Sequence, residues 1–251
     1  RFEFLQILDN PLRLRVYVFY SCFILKLIFC QKKKQLVFEK ETASLFQPNI
    51  VPIFMGGDHS ISLPVLRSIK KKYGPVGLIH FDAHSDLWHG YYDNKDTHGT
   101  PFRRAIEENL IDPSISCQIG LRGPLYDKND FSMSKDAGLL SITGPELHSM
   151  GIQKALSLVK NRIGNKKAYL TFDIDFIDPA FAPGTGTPEA GGFTGYDAIS
   201  FVRGLKEINF IGFDMVEVMP PYDPAHVTSL LAANIIYEFI SLIAIQKKIN
   251  T

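Results

Sequence analysis

The sequence is poor in the residues that staple or specialise a protein. Only three cysteines occur among 251 residues: Cys22, Cys30 and Cys117. They form neither an even framework nor a C-x-x-C pair, which argues against a disulfide-built secreted module and points to a reducing compartment. No charge of one sign dominates either, since 27 Lys and Arg stand against 26 Asp and Glu. That balance excludes the broad basic face used to hold nucleic acid or an anionic membrane. The glycine-rich stretch 184–192 lacks the Gly-Lys-Ser/Thr of a phosphate loop and reads as a rigid turn lining a pocket. An apolar run does exist, VYVFYSCFILKLIFC over residues 16–30, followed by Lys32, Lys33 and Lys34. It is shorter than the roughly 18–20 residues of a bilayer span and contains Lys26, so it reads as a buried strand or helix rather than an anchor. Nor does it show the basic start and small-residue cleavage site of a signal peptide.

Apolar residues make up 45% of the chain and charged residues 21%, enough for a proper core. From about residue 49 short apolar runs alternate with amphipathic stretches, the pattern of βαβ units. The strands expected are 50–55, 76–81, 116–121, 138–142, 168–172 and 210–216. The helices expected between and after them are 63–72, 102–109, 145–162, 196–205 and 228–245. Strands so uniformly apolar need helices on both faces. The economical division is an atypical amino-terminal segment, 1–48, followed by one doubly wound α/β domain, 49–251.

In open α/β sheets ligands bind beyond the carboxyl ends of the strands, and here several strands run straight into acidic or histidine-bearing motifs. The first leads to Gly56-Gly57-Asp58-His59-Ser60, the second to Asp82-Ala83-His84-Ser85-Asp86, the fifth to Asp173-Ile174-Asp175, and the last delivers Glu217. Extended chain alternates its side chains, so Asp82, His84 and Asp86 share one direction, as do Asp173 and Asp175. With His59, four carboxylates and two imidazoles aim at one pocket. Four uncompensated carboxylates would repel and raise one another's pKa values. Two divalent cations cancel that charge. An oxygen-rich donor set with two imidazoles and no thiolate suits Mn(II), with Fe, Co and Ni open. Paired metals activate water and clamp an oxygen-rich transition state, so hydrolysis is the reaction class expected.

At these residues the sequence resembles the ureohydrolase family of arginases and agmatinases. Gly56 to Ser60, Phe81 to Asp86 and Phe172 to Pro179 resemble its three metal-binding signatures, and the likeness continues through Ala182 to Glu189 and Gly212 to Val218. The resemblance implies a three-layer α/β/α fold with a mostly parallel sheet and two Mn(2+) per chain. It implies that His59 and Asp86 ligate one ion, that His84 and Asp175 ligate the other, and that Asp82 and Asp173 bridge. By the same resemblance Glu217 grips the substrate guanidinium, His98 hands a proton to the leaving amine, and Asp86 also steadies the tetrahedral intermediate. The stretches Thr97 to Ala105 and Glu217 to Asp223 look like the agmatinase branch. Leu87-Trp88-His89-Gly90 lacks the polar residues with which arginases hold an amino-acid head group. Agmatine plus water giving putrescine and urea is therefore the expected reaction. Guanidinobutyrate or arginine as substrate, or an inactive metal-binding relative, are the alternatives. The family also implies a homo-oligomer, trimer or hexamer, in the cytoplasm or mitochondrion and not secreted. Family members carry about a hundred residues before Gly-Gly-Asp-His and this chain has 55, so its front is expected to be truncated or divergent.

The remaining candidates read as supporting residues. His80 reads as a satisfied core histidine, and Asp58 as a partner that orients His59. His89 and His226 lie in loops near the expected pocket mouth, and His148 near a helix start faces solvent. Lys70, Lys71 and Lys72 end a helix, where cations suit the dipole.

Overall fold

Runs rich in Ile, Leu, Phe and Val find one another in a single sheet, because only there do both faces of so apolar a strand meet apolar neighbours. The computed structural model describes residues 31–91, 93–125 and 127–249. The apolar run 16–30, with Cys22 and Cys30, lies outside the described residues. The strands are β1 (Ile53–Met55), β2 (Gly77–Phe81), β3 (Cys117–Leu121), β4 (Leu140–Thr143), β5 (Lys167–Asp173) and β6 (Asn209–Val216). They pair in the order β1-β6-β5-β2-β3-β4, every pair parallel. All six expected strands are present, and the sheet is parallel throughout.

The helices are α1 (Gln31–Ala43), α2 (Ser62–Tyr73), α3 (Pro101–Glu107), α4 (Met133–Asp136), α5 (Gly144–Met150), α6 (Ile152–Ile163), α7 (Gly195–Gly204) and α8 (Val227–Ile249). They make two outer layers. On one face Ile79, Phe81, Ile119 and Phe172 pack against Val159 of α6, Phe201 of α7 and Phe239 of α8. On the other face Phe54, Leu78 and Tyr169 pack against Leu63, Leu66 and Ile69 of α2 and Phe102 of α3. The alternation of Leu78 with Ile79 and Phe81 along β2 sends side chains into both cores. Rings of Phe81, Phe172, Phe176 and Phe201 interlock, with centroids 5.0–5.2 Å from Phe81. Burying one such ring stabilises the fold by roughly 1.5–3 kcal/mol.

Three elements depart from expectation, the short α4 among them. The single helix expected over 145–162 is two helices, broken at Gly151, whose φ of 76° is closed to ordinary side chains. Helix α1, in the segment set apart as atypical, docks on α2, where the Ser68 hydroxyl donates to the Glu39 carbonyl at 2.9 Å. Helix α8 is long and apolar enough by length and composition to cross a bilayer. It lays Ile235, Phe239, Leu242 and Ile243 into the core while Leu230 and Tyr237 face outward.

The topology positions the site. From the neighbouring strands β2 and β5 the sheet runs outward in opposite directions, to β3 and β4 on one side and to β6 and β1 on the other. The crevice at such a switch point, beyond the carboxyl ends, is where an open α/β sheet takes its ligand. β1, β6, β5 and β2 are contiguous, so the motifs following them share one rim.

Candidate metal centre

Beyond β1 the chain turns through a 3-10 helix, His59–Ile61, capped by Asp58, whose Oδ1 accepts the Ser60 N–H at 2.8 Å. Asp58 thus orients His59 through the backbone. The turn drives the His59 ring, 1% exposed, down onto the strand ends, where Nε2 lies 2.8 Å from Thr171 Oγ1 on β5. Its Nδ1 faces three carboxylate oxygens: Asp86 Oδ2 at 2.9 Å, Asp82 Oδ2 at 3.2 Å and Asp173 Oδ2 at 3.3 Å.

A second nest lies beside the first. His84 Nδ1 stands 3.0 Å from Asp175 Oδ2 and 3.4 Å from Asp82 Oδ1, with Nε2 3.5 Å from Glu189 Oε1. Asp82 belongs to both nests, one oxygen to each. Its Oδ1 accepts the His84 backbone N–H at 2.6 Å, while its Oδ2 takes His80 Nε2 at 2.7 Å. Asp173 caps the 3-10 turn Ile174–Phe176 by accepting the Asp175 N–H on Oδ1 at 2.9 Å, which leaves Oδ2 for the cluster. Asp175 is steadied by the Ala83 N–H at 3.0 Å and the Thr187 hydroxyl at 3.2 Å. All six side chains expected to ligate metal therefore converge: ligand atoms of His59, His80, Asp82 and Asp86 lie within 4.8 Å of one another, as do those of Asp82, His84 and Asp175, and Asp173 joins the cluster through His59.

The nests suit cations on the evidence of their own polar atoms. His59 Nδ1 is buried among three acceptors yet has a hydrogen-bonding geometry to none of them. Such an orphaned buried nitrogen is costly unless something else takes its lone pair. Burial and the charges of Asp175 and Asp82 push the Asp173 carboxyl well above the usual carboxylate range. Burial, then Asp82, pushes Asp175 up to about 6. Burial alone would push both histidines down, but their carboxylate neighbours outweigh it, raising His59 well above its ordinary value and His84 to about 12. Burial would raise Asp82 as well, but His80, His59 and His84 together hold it well below the ordinary value. The nearby Arg122 guanidinium is spent on the backbone carbonyls of Gly120, Asp175 and Glu189. Left to itself, the cluster gathers protons. Divalent ions would replace those protons with positive charge that the carboxylates can match.

Glu217, half-buried at the end of β6, accepts the His59 backbone N–H on Oε1 at 2.6 Å. Burial and the Asp58 charge push its carboxyl up to about 8. Its Oε2 faces the loop at Gly186, where an added Cβ would stand 3.9 Å away. Asp86 and Glu217 both hold left-handed backbone, φ 52° and 62°, a conformation that costs a non-glycine residue about 1–3 kcal/mol and concentrates at functional sites.

Three other expected residues stay outside the cluster. His98 is exposed on the 87–100 loop, stacked on Tyr91 with centroids 5.7 Å apart. Tyr91 packs on Trp88, whose ring lies 6.4 Å from that of His84, so the loop forms an aromatic rim beside the second nest. His89 is exposed, with its carbonyl held by Arg104, and His226 is exposed in the turn before α8. His148 faces solvent as expected. Thr171, Gln118 and Thr187 were not singled out by sequence. Thr171 carried a signal, since it precedes Asp173 by two and therefore shares its face of β5.

The arginase family model matches residues 13–241 of the 251. The chain belongs to the arginase family. A guanidinobutyrase of Pseudomonas aeruginosa is 45% identical to it over 207 residues, 82% of this chain and 65% of the relative. The mitochondrial agmatinase of Gallus gallus is 42% identical over 193 residues, 77% of this chain and 57% of the relative. The solved proclavaminate amidino hydrolase of Streptomyces clavuligerus superposes with a TM-score of 0.80 at 34% identity, covering 86% of this chain and 72% of that one. This chain thus spans less than two thirds of the length of those two curated relatives. The arginase family is metal-dependent, and the two nests supply His and Asp groups able to bind metal.

Proposed function

We propose that this chain hydrolyses the guanidino group of agmatine, releasing urea and putrescine, with two Mn(2+) held in the nests. The observation that carries the reading is Asp82, whose two oxygens serve two different histidine nests. His59 and Asp86 would hold one ion and His84 and Asp175 the other, with Asp82 and Asp173 as the carboxylates shared between them; Asp173 keeps Oδ2 for this because its Oδ1 accepts the Asp175 N–H. Paired divalent ions supply an activated water at neutral pH and stabilise developing negative charge. The remaining work belongs to the chain. Glu217 grips the guanidinium with its outward oxygen while the His59 N–H anchors the inner one. The guanidinium, already a cation, draws a carboxyl pushed up to about 8 back toward its charged form, so Glu217 gives up its proton as substrate binds. Asp86, held beside His59, steadies the tetrahedral intermediate. His98, on the loop at the rim, passes a proton to the departing amine. Residues 49–251 form the catalytic domain of this reading, and a trimer or hexamer its assembly.

A second reading, a guanidino acid as substrate, draws support from the relatives: the guanidinobutyrase is 45% identical and a guanidinopropionase of Pseudomonas aeruginosa 44%. Urea release by the Mn-loaded full chain, measured over agmatine, 4-guanidinobutyrate, 3-guanidinopropionate and arginine, decides between them. Agmatine is expected to exceed the others at least about tenfold in kcat/KM, a difference worth about 1.4 kcal/mol. A guanidino acid turned over faster would replace agmatine. No urea from any of them, with metal bound, would leave an inactive relative.

A further inference from the structure

The side chain that the proposed chemistry leaves unused is His80. It is fully buried on β2, two residues before Asp82 and so on the same face of the strand. Both its ring nitrogens are engaged. Nδ1 lies 2.8 Å from Gln118 Nε2, an amide nitrogen that can only donate, so Nδ1 is the acceptor. The proton of the neutral ring is therefore on Nε2, which donates to Asp82 Oδ2 at 2.7 Å. The Gln118 amide is itself oriented, because its oxygen accepts from Ser134 Oγ at 2.5 Å and its nitrogen also donates to the Ser85 carbonyl at 2.6 Å. Ser134, Gln118, His80 and Asp82 are all buried. They form one directed chain of hydrogen bonds from α4 through β3 and β2 to the carboxylate shared by both nests.

We infer that His80 is a positioning residue for the metal centre, acting through Asp82. Two donors, His80 Nε2–H on Oδ2 and the His84 N–H on Oδ1, fix the plane of the carboxylate and leave each oxygen free to face one nest. Without His80, Oδ2 loses the hydrogen-bond donor that sets its direction toward the first nest. Groups that orient metal ligands in this way are typically worth about 10–100-fold in metal affinity. The inference rests on the two-ion reading of the site. It competes with another use of the same atoms, since His80, His59, Asp82 and Asp86 also lie close enough to form a cation site with His80 as a ligand.

The test is a titration of the metal-free full chain with Mn(2+), followed by the electron paramagnetic resonance of the free ion. His80→Phe keeps the ring volume and removes the donor, whereas His80→Gln places an amide N–H where Nε2–H stood. The inference expects wild type and both variants to bind two ions. In His80→Phe one ion is weakened by about 10–100-fold, and in His80→Gln most of that loss is recovered. Wild-type affinity in His80→Phe would overturn it, because a merely space-filling histidine changes stability without changing affinity. Loss of one whole equivalent in both variants would overturn it differently, by making His80 a ligand. If His80→Phe does not fold, Gln118→Met leaves the ring in place but frees its tautomer. That variant is then expected to weaken the same ion several-fold, and unchanged affinity there would overturn the inference. If wild type itself binds no Mn(2+), the two-ion reading fails before this one is reached.

Discussion

Two hydrogen bonds orient the Asp82 carboxylate, and the nests on either side of it make the six acidic and histidine side chains unequal. Asp82 lies 3.2 Å from His59 and 3.4 Å from His84, whereas Asp86 contacts His59 of the first nest at 2.9 Å. On the proposed two-ion reading, neutralising Asp82 would weaken both ions and neutralising Asp86 one. Metal analysis of the isolated variants checks this: Asp82→Asn is expected to retain less than one Mn(2+) per chain, and Asp86→Asn about one. Equal retention by the two would contradict the division into two nests. At this scale the sequence was a good guide where a residue's chemistry and spacing both spoke. The D-x-H-x-D and D-x-D motifs marked the right residues, but not through strand alternation: residues 82–86 leave β2 as irregular chain with Asp86 left-handed, and Asp175 lies in the 3-10 turn that Asp173 caps. They did not reveal Gln118, because a neutral amide inside an apolar strand has no signature until a neighbouring strand supplies its partner.

Helices and strands were legible to the extent that their own pattern, rather than their neighbours, decided them. The six strands are short apolar runs ending in polar motifs, and all six form. Helices α5 and α7 begin at capping boxes, Thr143 with Glu146 and Thr194 with Asp197, each one residue before the expected start. The break between α5 and α6 was missed because the helical period continues across it in sequence. Gly151, at φ 76° and ψ 160°, occupies a region that is essentially closed to residues with a Cβ. Nothing lies within 4 Å of a Cβ added there, so the penalty is conformational and not steric. Gly151→Ala is accordingly expected to lower stability by about 1–3 kcal/mol in urea denaturation while leaving Mn(2+) affinity unchanged. A neutral effect would mean that the α5–α6 turn relaxes freely. Helix α1 was not anticipated for a different reason. Leu36 and Val37 are exposed, so its sequence shows no regular apolar face, and polar contacts to α2 such as Glu39 to Lys71 at 2.5 Å help to hold it.

The fold as a whole holds a cluster that, without cations, is bound to protons instead, and this ties stability to pH. Burial raises Asp175 from an ordinary 3.8 to about 6 and Glu217 from 4.5 to about 8, and carboxylate neighbours raise His84 from 6.5 to about 12. A group raised on folding contributes stability that is complete below its unfolded pKa and is lost as pH climbs through the folded one. Asp82, held low, works in the opposite sense, but its contribution is already complete above about pH 4. Between pH 6 and 9 the folded metal-free chain therefore holds more protons than the unfolded chain, through Glu217, His84 and His59. Its stability must fall across that interval. Cations reverse the sign, because Mn(2+) needs the imidazole nitrogens and carboxylates deprotonated, and its binding strengthens as pH rises. The melting temperature of the full chain in chelator is expected to drop from pH 6 to pH 9, and the gap between Mn-loaded and metal-free protein to widen over the same range. A metal-free melting temperature that rose with pH would show that the four carboxylates are not jointly buried at the strand ends, and the charge argument for paired cations would lose its basis.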